Sequence, residues 1–202
     1  MLTSIIDTSN KRPRAFIKVS LGAGPRSTGS GPIRIALIGN RLAATSAAND
    51  ETPIPVSTED DAITNSGSGS EVHRMYRALT KAFRNASVDI VNILPVGTAA
   101  TYAIAITGTA TSSGTYRVQV GSDDPVDISI PTGSTATAAG NLVAAALNAI
   151  SHAAYTAANV TGTVTLTAKC AGLRGNLLRI RMSVPTAVAG LTLPTSTGAY
   201  FT

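Results

Sequence analysis

The chain has 202 residues, 44% of them hydrophobic and only 13% charged, which is enough apolar side chain for a core and excludes disorder for the bulk of it. An average soluble domain is about 25% charged, so roughly half the usual charge is missing, and Ala, Thr, Gly and Ser leave a small, uncharged surface suited to packing against other copies. The net charge is +5 and unevenly placed: Lys11, Arg12, Arg14, Lys18, Arg26 and Arg34 stand against Asp7, while the remainder balances.

The single cysteine, Cys170, excludes an intramolecular disulfide and a clustered zinc site, and suits a reducing compartment. No run of about 18 apolar residues is present for a membrane span, so no stable membrane insertion is expected. The start MLTSIIDTSNKRPR places its charges after a short apolar patch and does not read as a secretory signal. The composition fits one large or two small domains.

In chain order, Arg14-Ala15-Phe16-Ile17-Lys18-Val19-Ser20-Leu21 alternates, with Ile17, Val19 and Leu21 on one face, and predicts a half-buried strand. The Gly/Pro/Ser stretch from Gly22 to Pro32 tethers it loosely to the rest of the chain. A lone strand must pair its backbone groups, within its own chain or on a neighbour's sheet edge. The basic residues of this arm suit an acidic partner or nucleic acid; the plain alternative is a solvated tail, and no aromatic interleaving supports base stacking.

Ile33 to Gly39 is a nearly continuous apolar run that predicts a strand buried on both faces. Pro53 and Pro55 keep the next segment extended, and Ser57 or Thr58 followed by Glu59, Asp60 and Asp61 signals a helix start. Ser70 caps a second predicted helix from Glu71 to about Arg84, with Val72, Met75, Tyr76, Leu79 and Phe83 as its apolar stripe. Ser87 to Pro95 reads as a further buried strand, which makes strand, helix, strand a partial parallel α/β core.

From about Thr107 the composition turns to Thr, Ala and Gly. Strands are predicted over Thr115 to Val120 and Val126 to Ile130, joined by a Gly121 to Pro125 hairpin turn. An Ala-rich helix comes next over Thr135 to Ile150, with Leu142, Val143, Ala146, Leu147 and Ile150 on one face. Val160 to Ala168 and Leu177 to Met182 complete a ββαββ module. Pro185 onward shows no clear element and reads as a connection.

Little chemistry is legible. His73 and His152 read as surface or helix-end histidines, His152 at ease there as a partial cation. Cys170 beside Lys169 allows a lowered thiol pKa, but with no base nearby it reads as a small, partly buried side chain. Asp123, Asp124 and Asp127 supply too few oxygens for calcium and read as turn and strand-edge residues. The glycine stretches lack phosphate-loop spacing, and Ser70 capping accounts for Gly67-Ser68-Gly69-Ser70. No catalytic residue, cofactor or metal site is predicted.

Taken in order, Gly31-Pro32-Ile33-Arg34-Ile35-Ala36-Leu37-Ile38-Gly39-Asn40, Pro55-Val56-Ser57 and Gly67-Ser68-Gly69-Ser70-Glu71-Val72-His73-Arg74-Met75 resemble contractile phage tail sheath proteins. The likeness continues through Thr107 to Thr115, Gly162 to Ala168 and Gly172-Leu173-Arg174-Gly175-Asn176, in what looks like that family's inserted domain. Sheath subunits continue past that domain into a C-terminal region, so the likeness is to their N-terminal portion. The resemblance implies an extended arm and linker at 1–32, the first part of an α/β core at 33–106, an inserted ββαββ domain at 107–184 and a connecting tail at 185–202.

It implies a non-enzymatic structural subunit of the virion tail, assembled in the host cytoplasm as stacked helical rings around a tube and contracting to drive that tube through a cell envelope. Its partners would be further copies, the tube protein, and baseplate and tail terminator proteins, with no nucleic acid. Phe16, Ile17, Lys18, Val19, Ser20 and Leu21 would supply the inter-subunit strand, and Lys11, Arg12 and Arg14 an electrostatic contact. The alternative is a detached surface-binding module for glycan or protein on the ββαββ domain, with Tyr116 and Tyr155 as its candidate exposed aromatics.

Overall fold

A computed structural model describes residues 34–45, 50–84 and 86–202. The predicted arm, with the Phe16 to Leu21 strand and Lys11, Arg12 and Arg14, lies outside the described residues. The chain is mixed α and β, with strands predominating over three α-helices among the described residues. Its buried apolar residues form two separate clusters, and the structure is best taken as two units.

The first unit is a three-stranded sheet under two helices. Strand β1 (Arg34–Asn40) runs parallel to β3 (Ser87–Ile93), and β2 (Pro53–Val56) pairs antiparallel on the other side of β3. Helix α1 (Glu59–Ser66) starts at Thr58, whose hydroxyl accepts from the Asp61 amide while the Asp61 carboxylate accepts from the Thr58 amide, a reciprocal cap. Helix α2 (Glu71–Ala82) starts at Ser70, whose hydroxyl accepts from the His73 amide. It buries Val72 and Tyr76 on Leu37, Val88 and Ile90, but ends before Phe83, which is exposed.

Two polar residues sit in this core with their bonds made. Asn92 on β3 accepts from the Ser66 hydroxyl at 2.7 Å and donates to the Asn65 carbonyl at 2.9 Å, tying the end of α1 to the sheet. Buried Arg41 forks onto Asp50 at 2.6 and 2.9 Å and donates to the Leu42 and Thr45 carbonyls. This pairing satisfies a guanidinium that would otherwise be costly to bury.

β1 is not buried on both faces as its apolar run predicts. Leu37 and Gly39 meet the helices, but Ile38 is 45% exposed and Ile93 on β3 is exposed on the same side. A parallel pair is covered on two faces only where elements lie on both, and here α1 and α2 cover one.

The second unit closes two antiparallel sheets and a helix on one core. One sheet has β4 (Thr101–Ala105) and β8 (Tyr155–Val160) flanking β9 (Thr163–Ala168). The other orders β12 (Ser196–Tyr200), β10 (Arg179–Thr186), β6 (Gly114–Val120) and β7 (Val126–Ile130). Short strands β5 (Thr107–Gly108) and β11 (Leu191–Thr192) pair beside them. Helix α3 (Ala136–Asn148) buries Ala139, Gly140, Val143, Ala144 and Leu147, leaving Leu142 outside the buried face. Gly140 gives room to Asn159, which bonds the Thr137 carbonyl, Asn141 and the Gly162 amide and would have to give up this position if a side chain stood at 140.

Three further sequence expectations change. The stretch Val160 to Ala168 is not one strand, because Thr161 and Gly162, both at positive φ, make a two-residue turn between β8 and β9. β4 precedes the predicted start of the module. Residues 185–202, expected as a connecting tail, carry β11 and β12 and end in buried Phe201, which stacks on Tyr102. Thr101 and Thr202 exchange backbone hydrogen bonds at 2.8 and 3.0 Å, so this segment is held by the strand where the unit begins.

Candidate functional site at the junction of the two units

At the junction, α2 of the first unit, which carries His73, faces the β6–β7 turn and the segment after α3 of the second unit, which carries His152. The two units border an open cleft of about 890 Å³, lined on the helix side by Glu71, Arg74 and Arg77 and on the other by Asp123, His152 and Cys170. The contact is polar. Arg74 donates to Asp123 at 2.8 Å and to the Ser122 hydroxyl at 3.1 Å. Arg174 pairs with Glu71, whose other oxygen accepts from the Asn40 amide at 3.0 Å. The Ser68 hydroxyl donates to the Ser151 carbonyl at 2.6 Å, and Lys169 donates to the Ser68 carbonyl at 3.2 Å.

Gly69 forms the closest approach. It has a φ of +83°, and an added Cβ would overlap the Ala153 carbonyl oxygen. Its amide donates at 3.0 Å to Nδ1 of His73, which leaves the ring proton on Nε2, 3.0 Å from Glu59. The ring is 1% exposed, so His73 is a buried positioning group and not the surface residue its sequence context suggests. Helical periodicity places it beside the apolar stripe; its bonds to Gly69, before the helix, and to Glu59 on α1 are what periodicity along α2 cannot reveal.

His152 also departs from expectation. Burial, then the Arg77 charge, push its pKa down against the pull of Asp123, which disfavours the helix-end cation its position suggests. Asp123 is buried, with its second carboxylate oxygen unpartnered, while Asp124 stays exposed and Asp127 pairs with Arg117 at 2.6 Å. The Tyr155 hydroxyl is likewise buried and unpartnered, and burial pushes its pKa up. Burial raises the Cys170 thiol and lowers the Lys169 ammonium, which opposes thiolate chemistry at Cys170.

Among the described residues, no Ser, Thr or Cys side chain hydrogen-bonds a histidine ring, and no three His, Cys, Asp or Glu side chains gather as metal ligands. No described helix is long and apolar enough to cross a membrane. The arrangement can hold two units together and can respond to protons. No protein-family profile matches the chain, and no curated protein matches it.

Proposed function

We propose that the chain is a structural subunit of a contractile tail sheath, polymerising as helical rings around a tail tube, with inter-subunit strand addition by its N-terminal arm. One observation carries this reading: the two outer strands of the first sheet are unequal. β2 reads Pro53-Ile54-Pro55-Val56 and lacks two of its N–H donors, the usual means of blunting an edge. β1 keeps every N–H, has no partner on its outer side among the described residues, and leaves Ile38 open to solvent.

An unblunted edge is a template for an added strand. The 33 residues before β1 hold the alternating Phe16 to Leu21 run on a Gly/Pro leash, together with Lys11, Arg12 and Arg14 for an acidic surface on a neighbour or the tube. Main-chain hydrogen bonds of this kind survive sliding of subunits, which a contracting sheath needs. Copies of the chain, the tube protein, and baseplate and terminator proteins are the partners this reading implies, in a virion assembled in the host cytoplasm. No observation favours a glycan-binding module: Tyr116 and Tyr155 are both buried and offer no stacking surface.

Electron microscopy and sedimentation of the chain, beside a version lacking residues 1–24, test the proposal. Rings or tubes that vanish on removing the arm support it. A monomer at all concentrations, unchanged by the deletion, overturns it.

A further inference from the structure

The two units have separate apolar cores, meet through polar groups and enclose a cleft, the conditions under which relative motion is the default. The two histidines sit on opposite sides of that contact. We infer that the junction is a proton-operated hinge, closed while His73 and His152 are neutral and released when they are protonated. This rests on local geometry and holds whatever the chain assembles into.

On the helix side, Nδ1 of His73 accepts from the Gly69 amide at 3.0 Å. A proton on that nitrogen replaces the acceptor with a donor, so two N–H groups face each other in a site with almost no solvent to separate them. Gly69 must withdraw, and with it the backbone that rests on Ala153. Glu59 keeps its bond to Nε2 in either form, and Arg77, 3.5 Å from that same carboxylate oxygen, reduces how far Glu59 offsets the new charge. Lys169, held at the Ser68 carbonyl, adds a further cation beside Gly69.

On the facing side, Nε2 of His152 lies 4.0 Å from the Asp123 oxygen that accepts from Arg74. Protonated, His152 competes with Arg74 for that oxygen and meets Arg74 and Arg77 as like charges. Burial and those cations outweigh Asp123 in setting its proton affinity, so the closed state binds the proton more weakly than an open one. By linkage, acid then favours opening. α2 moves off the β6–β7 turn, and the chain between β3 and β4 absorbs the change.

Hydrogen exchange read by mass spectrometry on the full chain, from about pH 7.5 to about pH 5 and corrected for intrinsic rates, tests this. Amides from Gly69 to Arg74 and at Ala153 are expected to lose about tenfold in protection while β6 and β9 keep theirs. His152→Gln, outside both cores, should reduce the response, and His73→Gln should remove most of the rest. If His73→Gln does not fold, ring nitrogen shifts of His73 in the intact chain take its place. Protonation of Nδ1 in step with loosening supports the hinge; loosening with Nδ1 unprotonated overturns it. Junction amides that ignore pH, a response undiminished in His152→Gln, or junction and cores loosening together also overturn it.

Discussion

Arg74 and Asp123, 49 positions apart in the chain, meet at 2.8 Å across the two units, and the Asp123 side chain is only 5% exposed. One oxygen of that carboxylate takes the guanidinium and the other has no partner, so the charge depends on Arg74 for its compensation. Arg74→Met should therefore cost about 3 kcal/mol, the range for stranding one member of a buried pair and well above that for an exposed one. Asp123→Asn removes the charge and should cost less. Adding it to Arg74→Met should recover part of the loss, a coupling that urea unfolding of the four proteins measures. A loss below about 0.5 kcal/mol for Arg74→Met would place the pair among surface pairs.

Gly69 and Gly133 separate backbone strain from steric contact. Their φ values are +83° and +82°, yet an added Cβ at Gly69 strikes the Ala153 carbonyl while at Gly133 it meets nothing within 4 Å. Gly133→Ala should cost about 1 kcal/mol, from the left-handed backbone alone. Gly69→Ala should cost about 2 kcal/mol more, with faster amide exchange from Gly69 to Arg74. Equal losses at the two positions would mean that the Gly69 approach contributes nothing to the junction.

What the sequence discloses and what it hides divide along the range of the interactions. Helix starts at Thr58 and Ser70, the β6–β7 hairpin and the apolar faces of α2 and β3 arise from residues a few positions apart, and spacing reveals those. The Thr161-Gly162 turn has one mark in the sequence, Gly162, which inside a strand pattern also reads as a bulge, and β-branched Thr161 gives no sign of its positive φ. Tyr116 has the sequence context of an exposed aromatic, but its hydroxyl donates to the Pro194 carbonyl at 2.8 Å from within the core. That contact spans 78 positions. The junction is hidden for the same reason: His73, Asp123 and His152 each have an ordinary local context, and Arg74 reaches Asp123 across 49 positions.

Acid should weaken the fold through carboxylates at three sites. Hydrogen bonds hold Asp61 below the ordinary carboxylate range through Thr58 and Ser57, Asp50 through Arg41 and Asp127 through Arg117. A folded-state pKa below the unfolded one gives stability that is present at neutral pH and is lost as pH falls through the folded value. His152, also lowered, has the same sign at higher pH, its contribution fading below the ordinary histidine value of 6.5. The urea midpoint should thus fall in two stages, the upper reduced in His152→Gln and the lower reduced in Asp61→Asn. A midpoint flat from neutral pH to about pH 4.5, the onset of carboxylate titration, would contradict the upper stage.

Phe201 tests whether the last strand belongs to the core. Its ring is 1% exposed and stacks on Tyr102 with centroids 6.0 Å apart, and its amide donates to the Leu178 carbonyl at 3.0 Å. Phe201→Ala removes a buried aromatic between β4 and β10 and should cost about 3 to 4 kcal/mol. Its neighbour Tyr200 is 55% exposed, with Arg179 over its ring face, and Tyr200→Ala should cost less than about 1 kcal/mol. Thermal or urea unfolding of the two variants decides between a structural strand and a connecting tail, because a tail would leave both substitutions equally mild.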